Sequence, residues 1–149
     1  MEDKRLEAFN RLLDILDELR IKCPWDREQT MESLRNCTIE ETFELADAIS
    51  DADFDGIKQE LGDLMLHVVF YAKIADEQKQ FDIADVLNFL CDKLVYRHPP
   101  VFGDVQADDS KQVIYNWEQL KLKEKNKKTR GVLGGVPRSL PAMVKAYRI

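Results

Sequence analysis

The stretch LGDLMLHVVFYAKIA (Leu61–Ala75) is apolar on nearly every side of a helix. A helix that is hydrophobic all round is buried. This one falls short of the roughly 20 apolar residues that a membrane span needs. It therefore reads as the central, covered helix of a bundle, extending from about Phe54 to about Glu77. The rest of the chain has to supply the elements that cover it.

Upstream, SDADFDG (Ser50–Gly56) is a connection in which Asp53 can cap the central helix. A second helix precedes it, from about Thr30 to about Ser50, and a first one carries Leu6, Phe9, Leu13 and Leu16 at helical spacing. The two are separated at KCPWDREQT by Pro24. Downstream, Asp82 caps a fourth helix that uses Val86, Leu87, Leu90 and Leu94 and ends before Pro99 and Pro100. A loop, FGDVQADDS, leads to a polar fifth helix from about Ser110 to Lys128, with Val113, Ile114, Trp117 and Leu120 as its stripe. No β-alternation and no internal repeat is present. The fold class is all-α, a bundle of about four to five helices. Residues 1–128 form the expected domain. Residues 129–149 read as a Gly- and Pro-rich linker and the start of a further helical segment, AMVKAYRI, which suggests a piece of a longer protein.

A chain of 149 residues with 44% hydrophobic content fits one compact core, and a formal charge of −6 argues against general nucleic-acid binding. Three cysteines, Cys23, Cys37 and Cys91, form no CxxC pair and fit a reducing cytoplasm better than a disulfide framework. The N-terminus lacks the apolar segment of a signal peptide, and no membrane partner is expected.

Chemistry is concentrated in two helices. In TIEETFELADAIS (Thr38–Ser50), Glu40, Glu41, Glu44 and Asp47 share one side, while Ile39, Phe43, Ala46 and Ile49 hold the other. Alone, this is a solvated acidic face. The central helix changes that reading, because Glu60 and Asp63 stand at i, i+3 within its most apolar part. Two carboxylates there must be paired or must hold a cation. A hairpin of the two helices brings Glu41 and Glu44 to face Glu60 and Asp63. At about 5 Å and an effective dielectric near 20, each pair repels by roughly 3 kcal/mol. A hard cation, Mg²⁺ or Mn²⁺, removes that cost with oxygen ligands alone; inter-helix salt bridges to lysines are the competing explanation. Gly62, roughly opposite Glu60, suggests close approach of another helix. His67, one turn beyond Asp63, reads as a supporting or packing residue rather than a ligand. Thr38 and Glu41 resemble a capping box, but a metal-binding Glu41 cannot also cap, so the helix should begin before Thr38. For an anionic substrate, Lys93 and Arg97 share a face of the fourth helix, and Trp117 and Lys121 repeat that spacing on the fifth.

These motifs resemble the MazG family of nucleoside triphosphate pyrophosphohydrolases. EETFE (Glu40–Glu44) followed by ELGD (Glu60–Asp63) matches the signature of the wider all-α pyrophosphohydrolase group. CPWD (Cys23–Asp26), KLVYRHP (Lys93–Pro99) and GVPRSLPA (Gly135–Ala142) are closer to MazG itself. Pro100 stands where the common form of the RHP motif has a histidine. The resemblance implies a helical domain that dimerises into a larger bundle, as a homodimer or higher homo-oligomer. It implies Mg²⁺-dependent hydrolysis of nucleoside triphosphates to monophosphate and pyrophosphate. Glu41, Glu44, Glu60 and Asp63 match the metal ligands. Glu40 and Glu41 are the candidate catalytic pair, one of them taking the proton of the attacking water. Lys93, Arg97, Trp117 and Lys121 are the candidate substrate contacts. Tandem members need not be active in both copies, so a non-catalytic dimerisation or regulatory domain is the alternative.

Overall fold

The computed structural model describes residues 3–125 and 136–146. Most of the expected linker and the end of the last helical pattern lie outside the described residues. Within them, helices occur and no strand does: α1 (Lys4–Lys22), α2 (Pro24–Glu28), α3 (Met31–Ser50), α4 (Phe54–Glu77), α5 (Ile83–Arg97), α6 (Pro99–Phe102), α7 (Ser110–Lys125) and α8 (Ala142–Ala146). The chain divides into two compact units, residues 1–88 and 89–149. None of the described helices is long and apolar enough to cross a membrane.

The first unit is built on the hairpin of α3 and α4. Thr30 caps α3 by accepting from the Ser33 backbone N–H at 3.1 Å, and the Ser33 hydroxyl accepts from the Thr30 N–H at 2.9 Å. The helix thus starts well before Thr38, as a ligand role for Glu41 requires. Thr38 sits in the helix interior and donates to the Leu34 carbonyl. At the far end Ala52 takes a left-handed conformation with φ 53°, and the Asp53 N–H reaches back to the Ala48 carbonyl at 3.0 Å. Asp53 then caps α4 by accepting from the Gly56 N–H at 3.1 Å. Gly56 leaves room for this cap: a Cβ there would meet Asp53 Oδ2 at 2.6 Å, so the capping side chain would have to shift.

The core is where α1, α3 and α4 meet. Leu16, Leu34, Val69, Phe70 and Ile74 are buried together, with Phe9, Leu12, Leu13, Met31, Leu66, Tyr71 and Ile83 packed around them. The central helix is therefore the most buried element, but not on every side. Leu61, Met65 and Val68, one stripe at i, i+4, i+7, remain 52%, 45% and 44% exposed. Among the described residues no other helix approaches Gly62, where a Cβ would meet nothing within 4 Å. The expected close contact behind the acidic face is not made within the described residues. On α3, likewise, Ile39, Phe43 and Ile49 are 41%, 52% and 58% exposed, so its apolar side faces outward.

The two proline motifs end helices as expected, α1 at Lys22 and α5 at Arg97, and each also begins a new one. Pro24 opens α2, and Pro99 with Pro100 opens the single turn of α6. Proline's fixed φ suits a first helical turn, where its missing N–H has no partner to lose.

Arg20, near the end of α1, was not singled out by sequence pattern. One of its terminal nitrogens donates to the carbonyls of Asp26, Arg27 and Gln29 at 2.6, 3.1 and 2.9 Å. Its Nε and other terminal nitrogen grip Glu77 at the end of α4, at 3.0 and 2.9 Å. The guanidinium also lies 5.6 Å from the Phe70 ring centre. One side chain thus ties α1, the exit of α2 and the end of α4. Arg20→Ala is expected to cost about 2–3 kcal/mol in urea or thermal unfolding, because it strips charge-assisted hydrogen bonds from a largely covered site. Arg20→Lys should recover less than half, since an ammonium cannot reproduce the planar fork.

Candidate metal centre and substrate contacts

The hairpin places Glu41 of α3 against Glu60 and Asp63 of α4. Each offers one carboxylate oxygen, and these oxygens all lie within 4.8 Å of one another. Glu60 is 9% exposed, and Glu41 and Asp63 are half-buried. Glu44, Glu40 and Asp47 are exposed. Glu44 still lies close enough to hydrogen-bond with Glu60, and Glu40 close enough for its charge to act on Glu41. Three of the four matched ligands, Glu41, Glu60 and Asp63, therefore come together, with the exposed Glu44 beside Glu60.

Electrostatics bear out the strain expected from spacing. The Glu60 carboxyl is pushed above the ordinary glutamate range, first by burial, then by the hydrogen bond it shares with Glu41, then by the charges of Glu41 and Asp63. Its contact with Glu44 acts the other way. Glu41 is also pushed up, chiefly by burial and by the charges of Asp63, Glu44 and Glu40, against the opposing hydrogen bond with Glu60. No lysine relieves them. Lys58 pairs with Asp55 at 3.1 Å and Lys73 with Asp17 at 2.7 Å, and the ion pairs among the described residues include none of the five site acids. Glu60 Oε2 is buried with no hydrogen-bond partner. An orphaned carboxylate oxygen beside two more acids, with no sulfur or imidazole donor among them, fits a hard divalent cation.

The candidate substrate contacts form a separate group in the second unit. Arg97 of α5 makes a two-pronged ion pair with Glu124 of α7. Its guanidinium lies 5.5 Å from the Trp117 ring centre, and the Lys121 ammonium lies 4.5 Å from the same ring. Arg97, Trp117 and Lys121 thus come together. Lys93 stands over Phe89 instead, at 5.6 Å. Pairing with Glu124 raises the Arg97 pKa and holds the Glu124 carboxyl below its usual range. Glu124 was not identified from the sequence; a lone Glu in a run of lysines gives no signal until the helices are placed.

Because folding raises the Glu41 and Glu60 pKa values, the protonated pair stabilises the fold fully below the ordinary glutamate value of 4.5. That stability is lost as pH rises through the raised values. In the presence of chelator, melting temperature should therefore fall with increasing pH above about 4.5 relative to a Glu60→Gln variant, whose curve should be flatter. Saturating Mg²⁺ should remove most of the difference.

Comparison with known proteins identifies the family. The family model described as the MazG nucleotide pyrophosphohydrolase domain matches residues 29–102, which hold all five acids together with Lys93 and Arg97. The nucleoside triphosphate pyrophosphohydrolase of Escherichia coli K12 is 45% identical over 148 residues, 97% of this chain and 56% of that protein. The nucleoside triphosphate pyrophosphohydrolase/pyrophosphatase MazG of Thermotoga maritima is 45% identical over 143 residues, 95% of this chain and 54% of that one. The chain thus spans about half the length of these curated relatives. The crystal structure of a mazG-related protein from Thermotoga maritima superposes with a TM-score of 0.66 at 25% identity, covering 76% of this chain and 98% of that one. By sequence and by fold, the chain belongs to the MazG family of nucleotide pyrophosphohydrolase domains.

Proposed function

We propose that this chain, acting through residues 1–128, hydrolyses nucleoside triphosphates between the α- and β-phosphates, yielding monophosphate and pyrophosphate with Mg²⁺ (or Mn²⁺) as cofactor. The observation that carries this reading is the unpartnered, buried Glu60 oxygen within reach of Glu41 and Asp63. The names of relatives at 45% identity supply the substrate class. A cytoplasmic setting is in keeping with three free cysteines.

Glu41, Glu44, Glu60 and Asp63 would hold the cation. When bound, it supplies positive charge to the phosphate oxygens and makes water more acidic. Glu41, whose pKa is raised, and the exposed Glu40 beside it are the groups able to take a proton from the attacking water. Arg97, Lys121 and Lys93 provide donors for phosphate oxygens, and the Trp117 face provides stacking area.

The second copy belongs to the same proposal. Ile39 and Phe43 on α3, and Leu61, Met65 and Val68 on α4, leave apolar stripes uncovered in one chain. Helix packing against a second chain would cover them, with Gly62 allowing close approach. Such contiguous apolar surface marks an association site.

A panel of nucleoside and deoxynucleoside triphosphates should yield pyrophosphate, not orthophosphate, and only with divalent metal. Glu41→Gln and Glu60→Gln should each lower kcat/KM at least 100-fold. Unchanged product formation in both variants would remove the site assignment, whereas Mg²⁺-dependent nucleotide binding without turnover would point to the regulatory alternative. Light scattering should find a dimer or larger homo-oligomer, and Met65→Glu should shift it toward monomer; a monomeric wild-type chain at micromolar concentration would contradict the docking of a second copy.

A further inference from the structure

Glu60 and His67 are the two buried side chains of polar or ionisable type among the described residues, at 9% and 8% exposure. They also carry the two buried side-chain atoms that lack any hydrogen-bond partner there, Glu60 Oε2 and His67 Nδ1. Both lie on α4, seven residues apart, so they face the same way with Asp63 between them. The stripe continues to Tyr71, whose ring meets His67 edge-on at a centroid distance of 6.5 Å. The Tyr71 hydroxyl is hydrogen-bonded across the seam to Thr38 Oγ1 of α3. A polar file thus runs down the α3–α4 seam from the carboxylates, through His67, to a fixed Thr38–Tyr71 pair. Val69, Phe70, Ala72, Ile74 and Ala75 around it are apolar and buried.

We propose that His67 is a positioning residue for the metal centre: its Nδ1–H donates to Asp63 through one bridging water and holds that carboxylate in its ligating orientation. This rests on the metal-binding reading above. Residues at i and i+4 on a helix are within side-chain reach, which suits Asp63 and His67. Carboxylates that bind metal are themselves held by hydrogen bonds, and loss of such a partner typically costs 10- to 100-fold in metal affinity. A histidine retained only for packing would leave a buried nitrogen unsatisfied where an apolar side chain would avoid that cost. The Tyr71 edge and the Thr38 bond limit the ring's freedom on the side away from the carboxylates.

The test compares wild-type chain with His67→Leu, His67→Met and His67→Gln, reading Mg²⁺ affinity by calorimetry and by the metal-induced rise in melting temperature. The apolar variants should fold, as judged by circular dichroism, and lose at least 10-fold in Mg²⁺ affinity. The Gln variant, which keeps a donor, should stay within about 3-fold of wild type. In the unmodified protein, the ¹⁵N signal of His67 Nδ1 should move on Mg²⁺ addition; with two histidines in the chain, the His67→Gln spectrum assigns it. Wild-type affinity in the apolar variants, or a His67 signal indifferent to Mg²⁺ that does bind, would overturn the inference alone. A wild-type chain that binds no divalent metal would overturn it together with the metal reading.

Discussion

Three acids held against one another across the α3–α4 seam are the constraint around which the first unit is arranged. At the separations found, each pair of charges repels by roughly 3 kcal/mol at an effective dielectric of 20. Two helices with that much repulsion between them do not associate on their own account. They are held by a corner that leaves little freedom, with Ala52 left-handed and Gly56 against Asp53 and Ala48. Below the site, Leu16 of α1 joins Leu34, Val69, Phe70 and Ile74, so that the first helix braces the other two from one side. Arg20 then fastens the far end of α4 through Glu77. Stability is concentrated at one end of the hairpin and the electrostatic load at the other. That load shows in the carboxyls of Glu41 and Glu60, both pushed above the ordinary glutamate range, first by burial.

The same constraint inverts the usual sense of amphipathicity in α3. In most helices the charged face meets water and the apolar face meets the core. Here Glu41 faces a neighbouring helix, while Ile39, Phe43 and Ile49 face outward. Leu61, Met65 and Val68 do the same on α4. A single chain cannot bury both sides of a two-helix layer with α1 alone. The repulsive side has to be turned inward to make the site, and the cohesive side is left to seek cover elsewhere.

Much of this was legible in the sequence, for local physical reasons. The apolar density of Leu61–Ala75 identified the central helix, and the i, i+3 spacing of Glu60 and Asp63 placed both acids on one face. The early start of α3 followed from the conflict between capping and metal binding at Glu41. What periodicity could not supply was the direction in which each apolar stripe points, because a stripe is equally apolar whether its own chain or another covers it. The role of Arg20 was also hidden. Its partners, three carbonyls and Glu77, are defined by the third dimension and leave no spacing signature. Pro24 and Pro99 showed where α1 and α5 end but not the short helices they open, because proline marks both the end of one helix and the first turn of the next.

The second unit shows how far residue type alone carries a substrate reading. Arg97, Trp117 and Lys121 do converge, but Arg97 is already compensated by Glu124 and packed over the indole. A guanidinium in that state is not a vacant anion site. If it receives a phosphate, one two-pronged anion must replace another, and the charge left behind on Glu124 needs a lysine to settle it: Lys93, whose charge acts on Glu124, or Lys121, which lies over the same indole as Arg97. Such an exchange favours a ligand carrying more than one negative charge, because only then does the incoming anion gain more from the two lysines than the departing carboxylate loses.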